Sequence, residues 1–394
     1  MSIHLNEIKG VKCSSIASGI KNNNSLDLSL ISLVEGSSTA AVFTQNIFCA
    51  APVLVAKNHL NFNIQALLIN SGNANAGTGK KGLEDSFKSC EIIAEELNIK
   101  PEQVLPFSTG VIGQLLPVES IEKNANKLVN SLTEDGLGNV AKGILTTDLV
   151  EKYCSVSFKV DGVTVNLSGV AKGSGMIRPN MATMLSFIVT DIGASQEELQ
   201  ECLNISVNQS FNRITVDGDT STNDACTLSA TNQSGILYSQ CKEAFQKALN
   251  ELTKKLANMI VKDGEGSTKF VEVRVSGLES NEDCLEVAYT VAHSPLVKTA
   301  LFASDANWGR ILAAVGRARV KGISFENINI SLNEVQIISS GEISEQYTEE
   351  AGSREMEKPE ITIQIDLGGF KTNESVWTTD LSYDYVKINA EYRS

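Results

Sequence analysis

Aromatic residues make up only 6 % of the chain, with two tryptophans, seven prolines and three histidines, His4, His59 and His293. With so few imidazoles, no Cys-x-x-Cys pair and no His/Cys group at ligand spacing, a structural zinc site is not expected, nor any other metal. The eight cysteines (Cys13, Cys49, Cys90, Cys154, Cys202, Cys226, Cys241 and Cys284) lie far apart in a chain of 394 residues. A chain of that size needs no staples, so they read as buried free thiols. There is no run of about 18 apolar residues to span a bilayer, and the stretch Met1 to Gly10 lacks the charged-then-apolar order of a secretory signal. A cytoplasmic protein with no membrane partner is therefore expected. Positive charge is also short. Against 47 Asp and Glu stand 33 Lys and Arg, a net charge of −14, which leaves no basic footprint for nucleic acid. Nearly all of that excess falls after residue 182. It reads as a solvated acidic surface, with attraction of a cationic substrate as the alternative. The length predicts two domains or two tightly joined halves.

Short β-type runs are expected at 40–46, 51–57 and 64–70, then a helix with Phe87, Ile92, Ile93 and Leu97 on its apolar side. Between them, Gly77-x-Gly79-x-x-Gly82 formally fits a dinucleotide fingerprint. Asn70 to Ala76, however, separates strand from glycines where the fingerprint needs the turn at once. A P-loop is absent because Lys81 follows Gly79-Lys80 where Ser or Thr is required. Val104 to Gly113 reads as a strand ending in a glycine turn, whose backbone N–H groups can hold an oxyanion. Residues 120–132 read as a helix, and 155–160 with 163–167 as a hairpin about Asp161-Gly162. A capping box, Ser195 with Glu198, opens a helix over 195–211. Asp217 to Asp224 resembles a calcium loop only superficially, with no Gly at its sixth position and Leu228 at its twelfth. Residues 241–261 form the best amphipathic helix, with Phe245, Leu249, Leu252, Leu256, Met259 and Ile260 on one stripe. Strands follow at 270–275, 328–332, 335–338 and 361–367.

The densest chemical signal lies at 172–191. Gly173-Ser174-Gly175 and Pro179-Asn180 predict a tightly turned loop, and 184–189 a strand buried on both faces. Between them stands Met181-Ala182-Thr183. A threonine hydroxyl needs an adjoining base to act as a nucleophile, and an N-terminal threonine carries one in its own α-amine. Thr183 gains that amine only if the chain breaks after Ala182. Attack of the Thr183 hydroxyl on the Ala182 carbonyl would give an ester, and its hydrolysis would release the amine. The amine's ordinary pKa of about 7.7 to 8.0 leaves it substantially neutral near physiological pH.

The string Lys172-Gly-Ser-Gly-Met-Ile-x-Pro-Asn-Met-Ala-Thr-Met-Leu185 resembles the self-cleavage signature of the ornithine acetyltransferases, also called glutamate N-acetyltransferases, of arginine biosynthesis. Asp263-Gly-Glu-Gly266 and Ala303-Ser-Asp-Ala-Asn-Trp-Gly-Arg310 are similar to further strings of that family, and the likeness runs from about Gly36 to the C-terminus. Sequence alone gives only mixed α and β. The resemblance implies an α+β fold, a layered α/β/β/α sandwich self-cleaved into an α-chain (1–182) and a β-chain (183–394), assembled as an α2β2 heterotetramer. It implies ping-pong acyl transfer, in which Thr183 takes acetyl from N2-acetylornithine and passes it to glutamate. Thr109 and Gly110 would form the oxyanion hole. Thr146, Lys172, Thr183, Glu265, Asn389 and Ser394 would contact substrate, Lys172 facing its carboxylate and Glu265 the ornithine ammonium. No cofactor is implied, although acetyl-CoA is a possible second donor, which would add N-acetylglutamate synthase activity. The alternatives are an amidohydrolase or aminopeptidase with the same N-terminal nucleophile, and a nucleotide-binding protein built on Gly77 to Gly82.

Overall fold

The structure is a computed structural model and describes residues 5–178 and 184–391. It divides into two compact units, one of residues 1–212 and 219–260, the other of residues 213–218 and 261–394. The first unit takes strands from both sides of residue 182, so the expected fragments 1–182 and 183–394 both contribute to it.

In chain order the first unit holds β1 (Val11–Ile16), β2 (Leu28–Leu33), β3 (Ser38–Phe43), α1 (Ala51–His59), β4 (Ala66–Asn73), α2 (Gly79–Leu97), β5 (Val104–Val111), α3 (Val118–Asn130), α4 (Leu137–Gly143), β6 (Lys152–Val160), β7 (Val163–Lys172), β8 (Leu185–Thr190), α5 (Gln196–Gln209), β9 (Ala225–Ala230) and most of α6 (Lys242–Lys262). The strands make two sheets, ordered β1-β2-β4-β5 and β3-β9-β8-β7-β6. Their facing sides are apolar: Ile31, Leu67, Leu105 and Phe107 share a buried cluster with Val170, Phe187 and Val189. Phe107 and Phe187 meet edge to face across that gap, 5.0 Å between centroids. The outer side of the first sheet, through Leu30, Leu68 and Val104, packs on Cys90 and Ile93 of α2 and on Ile121 and Leu128 of α3. On the outer side of the second sheet lie α5 and α6, and a side chain at Gly169 would strike Leu252 and Leu256 of α6. The layers are therefore α/β/β/α, as the resemblance implied.

Local chemistry explains several elements. Asp161 and Gly162, with φ of 49° and 84°, supply the two positive angles of the β6–β7 hairpin turn. Ser195 and Glu198 close the capping box of α5 in both directions. β8 is buried along all six residues, consistent with its apolar run. The stretch 51–57, expected as a strand, is instead the helix α1. Pro52 sits in its first turn, where a fixed φ suits a helix, and so short an apolar run does not fix the period. Of the expected apolar side of α2, Ile92 and Ile93 are buried and Leu97 packs against the same cluster, and only Phe87 departs. Phe87 is 43 % exposed, and Asp85, Ser86, Ser89, Cys90 and Ile93 face inward.

The second unit holds β10 (Phe270–Ser276), α7 (Asn281–Ala292), α8 (Pro295–Phe302), α9 (Trp308–Gly316), β11 (Asn329–Leu332), β12 (Val335–Ser339), β13 (Glu342–Ile343), α10 (Glu349–Met356), β14 (Glu360–Asp366), β15 (Asn373–Thr379) and α11 (Tyr383–Ala390). Its sheet runs β13-β12-β11-β14-β10-β15. Val271, Val273 and Val275 alternate inward from β10 onto Val287 and Val291 of α7, the two-residue period of a sheet with one face covered. No described helix is long and apolar enough to cross a membrane.

Candidate active site

In the first unit the site is built on the ends of β4 and β5. These strands run parallel, pairing Ser71 with Thr109 and Gly72 with Gly110 before the register shifts at Asn73. Gly110 has φ of 136°, and a Cβ there would lie 2.3 Å from the Gly72 carbonyl carbon and 2.5 Å from the Asn73 nitrogen. Only glycine fits so close an approach. Buried amides fix the turn. Asn70 Nδ2 donates to Asn73 O at 2.8 Å and Ser108 Oγ to Asn70 Oδ1 at 2.6 Å. Asn223 Nδ2 donates to Ala74 O at 2.6 Å and to Ser108 O at 3.0 Å, tying the start of β9 to this turn.

Lys172 ends β7 opposite Leu185 of β8. It is buried, and its Nζ donates to Thr109 Oγ1 at 3.3 Å. The Thr146 N–H donates to Asp148 Oδ2 at 3.1 Å. Asp148 Oδ1 accepts from Lys152 Nζ at 2.6 Å and from the Gly173 N–H at 2.7 Å. Thr109, Gly110, Lys172 and Thr146 are thus gathered by contacts within one unit. Burial pushes the Asp148 carboxyl up, but the Lys172 and Lys152 ammoniums, with the bonds from Lys152 and Gly173, outweigh it and hold the group well below the usual carboxylate range. Asp224, just before β9, goes the other way. Burial drives its carboxyl well above the ordinary value despite Lys172, the Met184 N–H and Ser221, and its Oδ2 has no hydrogen-bond partner among the described residues.

Ala182 and Thr183, the expected cleavage pair, and Ser394 lie outside the described residues. In the second unit the glycine-flanked loop after α6 carries Glu265, which is buried and accepts from Asn389 Nδ2 of α11 at 2.9 Å. Ser382 caps α11 and also donates to Gly266 O at 2.6 Å. Glu265 and Asn389 therefore meet, whereas the other placed candidates belong to the first unit.

Sequence reasoning passed over Asp148, Lys152, Asp224 and Asn223. Asp148 was within reach, as the third residue of Thr146-Thr147-Asp148; the others meet the site only through the fold. The glycines of the Gly77 to Gly82 stretch have local roles. Gly77 and Gly79 take positive φ, a Cβ at Gly82 would strike Thr78 and Asn75, and Asn75 Nδ2 donates to Gly82 O at 2.9 Å. Chemically, a buried ammonium beside a hydroxyl and a glycine turn suits an anionic group or a developing oxyanion.

Comparison with known proteins covers nearly the whole chain. The ArgJ family profile matches residues 12–394. The chain is 49 % identical over 399 residues to the arginine biosynthesis bifunctional protein ArgJ of Pseudomonas syringae pv. tomato, covering 99 % of this chain and 98 % of that one. It is 49 % identical over 396 residues to the protein of the same name from Methylococcus capsulatus, covering 100 % and 97 %. Among solved structures, the arginine biosynthesis bifunctional protein argJ of Bacillus halodurans is 36 % identical with a TM-score of 0.47, covering 53 % of this chain and 100 % of that one. A profile match and two relatives that span nearly the full length leave one assignment: the chain belongs to the ArgJ family.

Proposed function

We propose that this chain is the acyltransferase that moves acetyl from N2-acetylornithine to glutamate in arginine biosynthesis. Full-length likeness to relatives named for that pathway supports the reading. The observation that carries it is the buried Lys172 ammonium, 3.3 Å from the Thr109 hydroxyl at a turn that only glycine can make. Self-cleavage between Ala182 and Thr183 leaves fragments 1–182 and 183–394 and frees the Thr183 amine. That amine takes the hydroxyl proton as Thr183 Oγ1 attacks the acetyl carbonyl. Thr109 and Gly110 hold the oxyanion, the amide C–N bond breaks, and ornithine leaves with the proton. Glutamate's amine then attacks acetyl-Thr183, and the hydroxyl is restored. Lys172 pairs with the α-carboxylate that both substrates carry, Glu265 with the ornithine ammonium, and Thr146, Asn389 and Ser394 complete the contacts. Acetyl-CoA is proposed as a second acetyl donor, and the chemistry itself needs no cofactor. A cytoplasmic α2β2 assembly fits such an enzyme.

N-terminal sequencing and a transfer assay test this together. Wild-type protein should give a fragment starting at Thr183, Thr183→Ala should stay whole, and labelled acetyl should move from N2-acetylornithine to glutamate. Free acetate released at the same rate with and without glutamate would instead mark an amidohydrolase.

A further inference from the structure

We propose that Asp148 is a positioning residue of this site, the fixed carboxylate that sets where Lys172 and Thr146 stand. The proposal rests on the reading of Lys172 as the partner of the substrate carboxylate. Two separate backbone segments converge on this one side chain. Its Oδ1 takes the N–H of Gly173, the residue after Lys172, at 2.7 Å, and its Oδ2 takes the N–H of Thr146 at 3.1 Å. One residue further along each segment the link is repeated, with Thr147 Oγ1 and Ser174 Oγ 2.7 Å apart. The Asp148 and Lys152 side chains expose no surface at all.

Such a buried pair is a poor source of stability, because desolvating two charges offsets their attraction and apolar side chains of the same volume often do as well. Apolar side chains could not accept two N–H groups from separate segments, nor supply negative charge beside Lys172. That charge is needed locally. Lys152 and Lys172 both act on Asp148, and Lys21, whose Nζ donates to Leu145 O at 2.8 Å, feels both Asp148 and Lys172. Without Asp148 the buried Lys152 and Lys172 lose the carboxylate they share, the half-buried Lys21 keeps only Asp27, and Lys172 is pushed from its place beside Thr109.

The test uses full-length protein carrying Asp148→Asn, and the same change combined with Lys152→Met so that the fully buried Lys152 ammonium is not left without its carboxylate. Calorimetry compares ornithine with ornithinamide, which differ only in the carboxylate, so no turnover is needed. Wild type should bind the acid at least tenfold more tightly than the amide, and the folded variants should lose most of that ratio. In turnover, KM for both substrates should rise by more than kcat falls. An unchanged acid-to-amide ratio in a folded variant overturns the proposal, as does a double variant that cannot fold, which would make Asp148 a structural residue only. Equal binding of acid and amide by wild type overturns it too. Wild-type protein without acetyl transfer but with the expected loss of ratio would sink the enzymatic reading and leave Asp148 standing.

Discussion

Replacing Gly110 by alanine should unfold the first unit's sheet edge before it disturbs chemistry, and the size of the effect follows from three contacts. The added methyl would lie 2.3 Å from the Gly72 carbonyl carbon, 2.5 Å from the Asn73 nitrogen and 2.7 Å from the Gly72 Cα. All three are backbone atoms, so no side chain can swing aside and β4 must part from β5. Forcing a methyl into a packed site costs about 1–3 kcal/mol. Holding a non-glycine residue at φ 136° adds on the order of 1–3 kcal/mol. Together they predict a loss of roughly 2 to 6 kcal/mol, a large part of an ordinary domain's stability. At about 2–4 °C per kcal/mol for a unit of this size, Tm should fall by roughly 4 to 24 °C. Thr109→Ala removes only a 3.3 Å hydrogen bond from the Lys172 ammonium, worth about 1.5–3 kcal/mol. It should stay folded while acetyl transfer slows, by up to about 100- to 1000-fold if the hydroxyl is the oxyanion donor. Thermal melts of both variants, read beside initial transfer rates, separate the two effects. A Gly110→Ala protein that melts within about 2 °C of wild type would refute the close approach of β4 and β5.

Glu265→Gln keeps an oxygen to accept from Asn389 but removes the charge, so formation of acetyl-enzyme from N2-acetylornithine should lose on the order of 2 to 5 kcal/mol, more than discharge to glutamate does. Equal damage to the two half-reactions, timed separately, would contradict the ammonium assignment. Asp224 binds its proton more tightly folded than unfolded, so wild-type stability should fall as pH rises from about 4 toward that raised value. Asp224→Asn should lack this decline, and denaturant unfolding at several pH values compares the two. In the second unit the Lys298 amine is buried and lowered to about 8 by burial, against the opposing pull of Asp380 and Asp217. The unfolded lysine holds its proton to about 10.4, so the unfolded chain binds more protons between the two values and stability should rise from pH 8 to 10. Lys298→Met should flatten that rise, and an identical slope in both proteins would count against it.

Features settled within a few neighbouring residues were legible in the sequence. The hairpin at Asp161-Gly162, the capping box at Ser195 and the glycine turn after β5 each need one local backbone angle or one short-range bond, and residue type reports these directly. The run 51–57 misleads because Val53 and Val55 suit a strand, although a local signal against it, Pro52 in the first turn of a helix, is present. Site contacts that close over long separations leave no spacing to read. Lys172 and Thr109 lie 63 positions apart, and Asn223 reaches Ala74 over 149. The partners of Asp148 show the limit well: Lys152 is near in sequence, but Gly173 comes within 2.7 Å only because β7 returns along β6.

The place proposed for the cut is one the sheet can tolerate. β7 ends at Lys172 and β8 begins at Leu185, and these two residues face each other across the ladder. The connection between them starts and finishes at the same end of the sheet, so opening a bond within it leaves the ladder of Leu167 to Lys172 against Leu185 to Thr190 in place. β8 is flanked by β7, from before residue 182, and by β9, from after it; β9 pairs in turn with β3, from before it. Leu185, Phe187, Ile188 and Val189 of β8 are all buried. At about 1.5–3 kcal/mol each their burial contributes on the order of 6 to 12 kcal/mol before chain entropy is counted, an upper figure. Fragments 1–182 and 183–394 should therefore elute together in gel filtration under native conditions and appear as two bands only after denaturation. Separation of the fragments in native buffer would mean that the strand pairing around β8 does not hold the cleaved protein together.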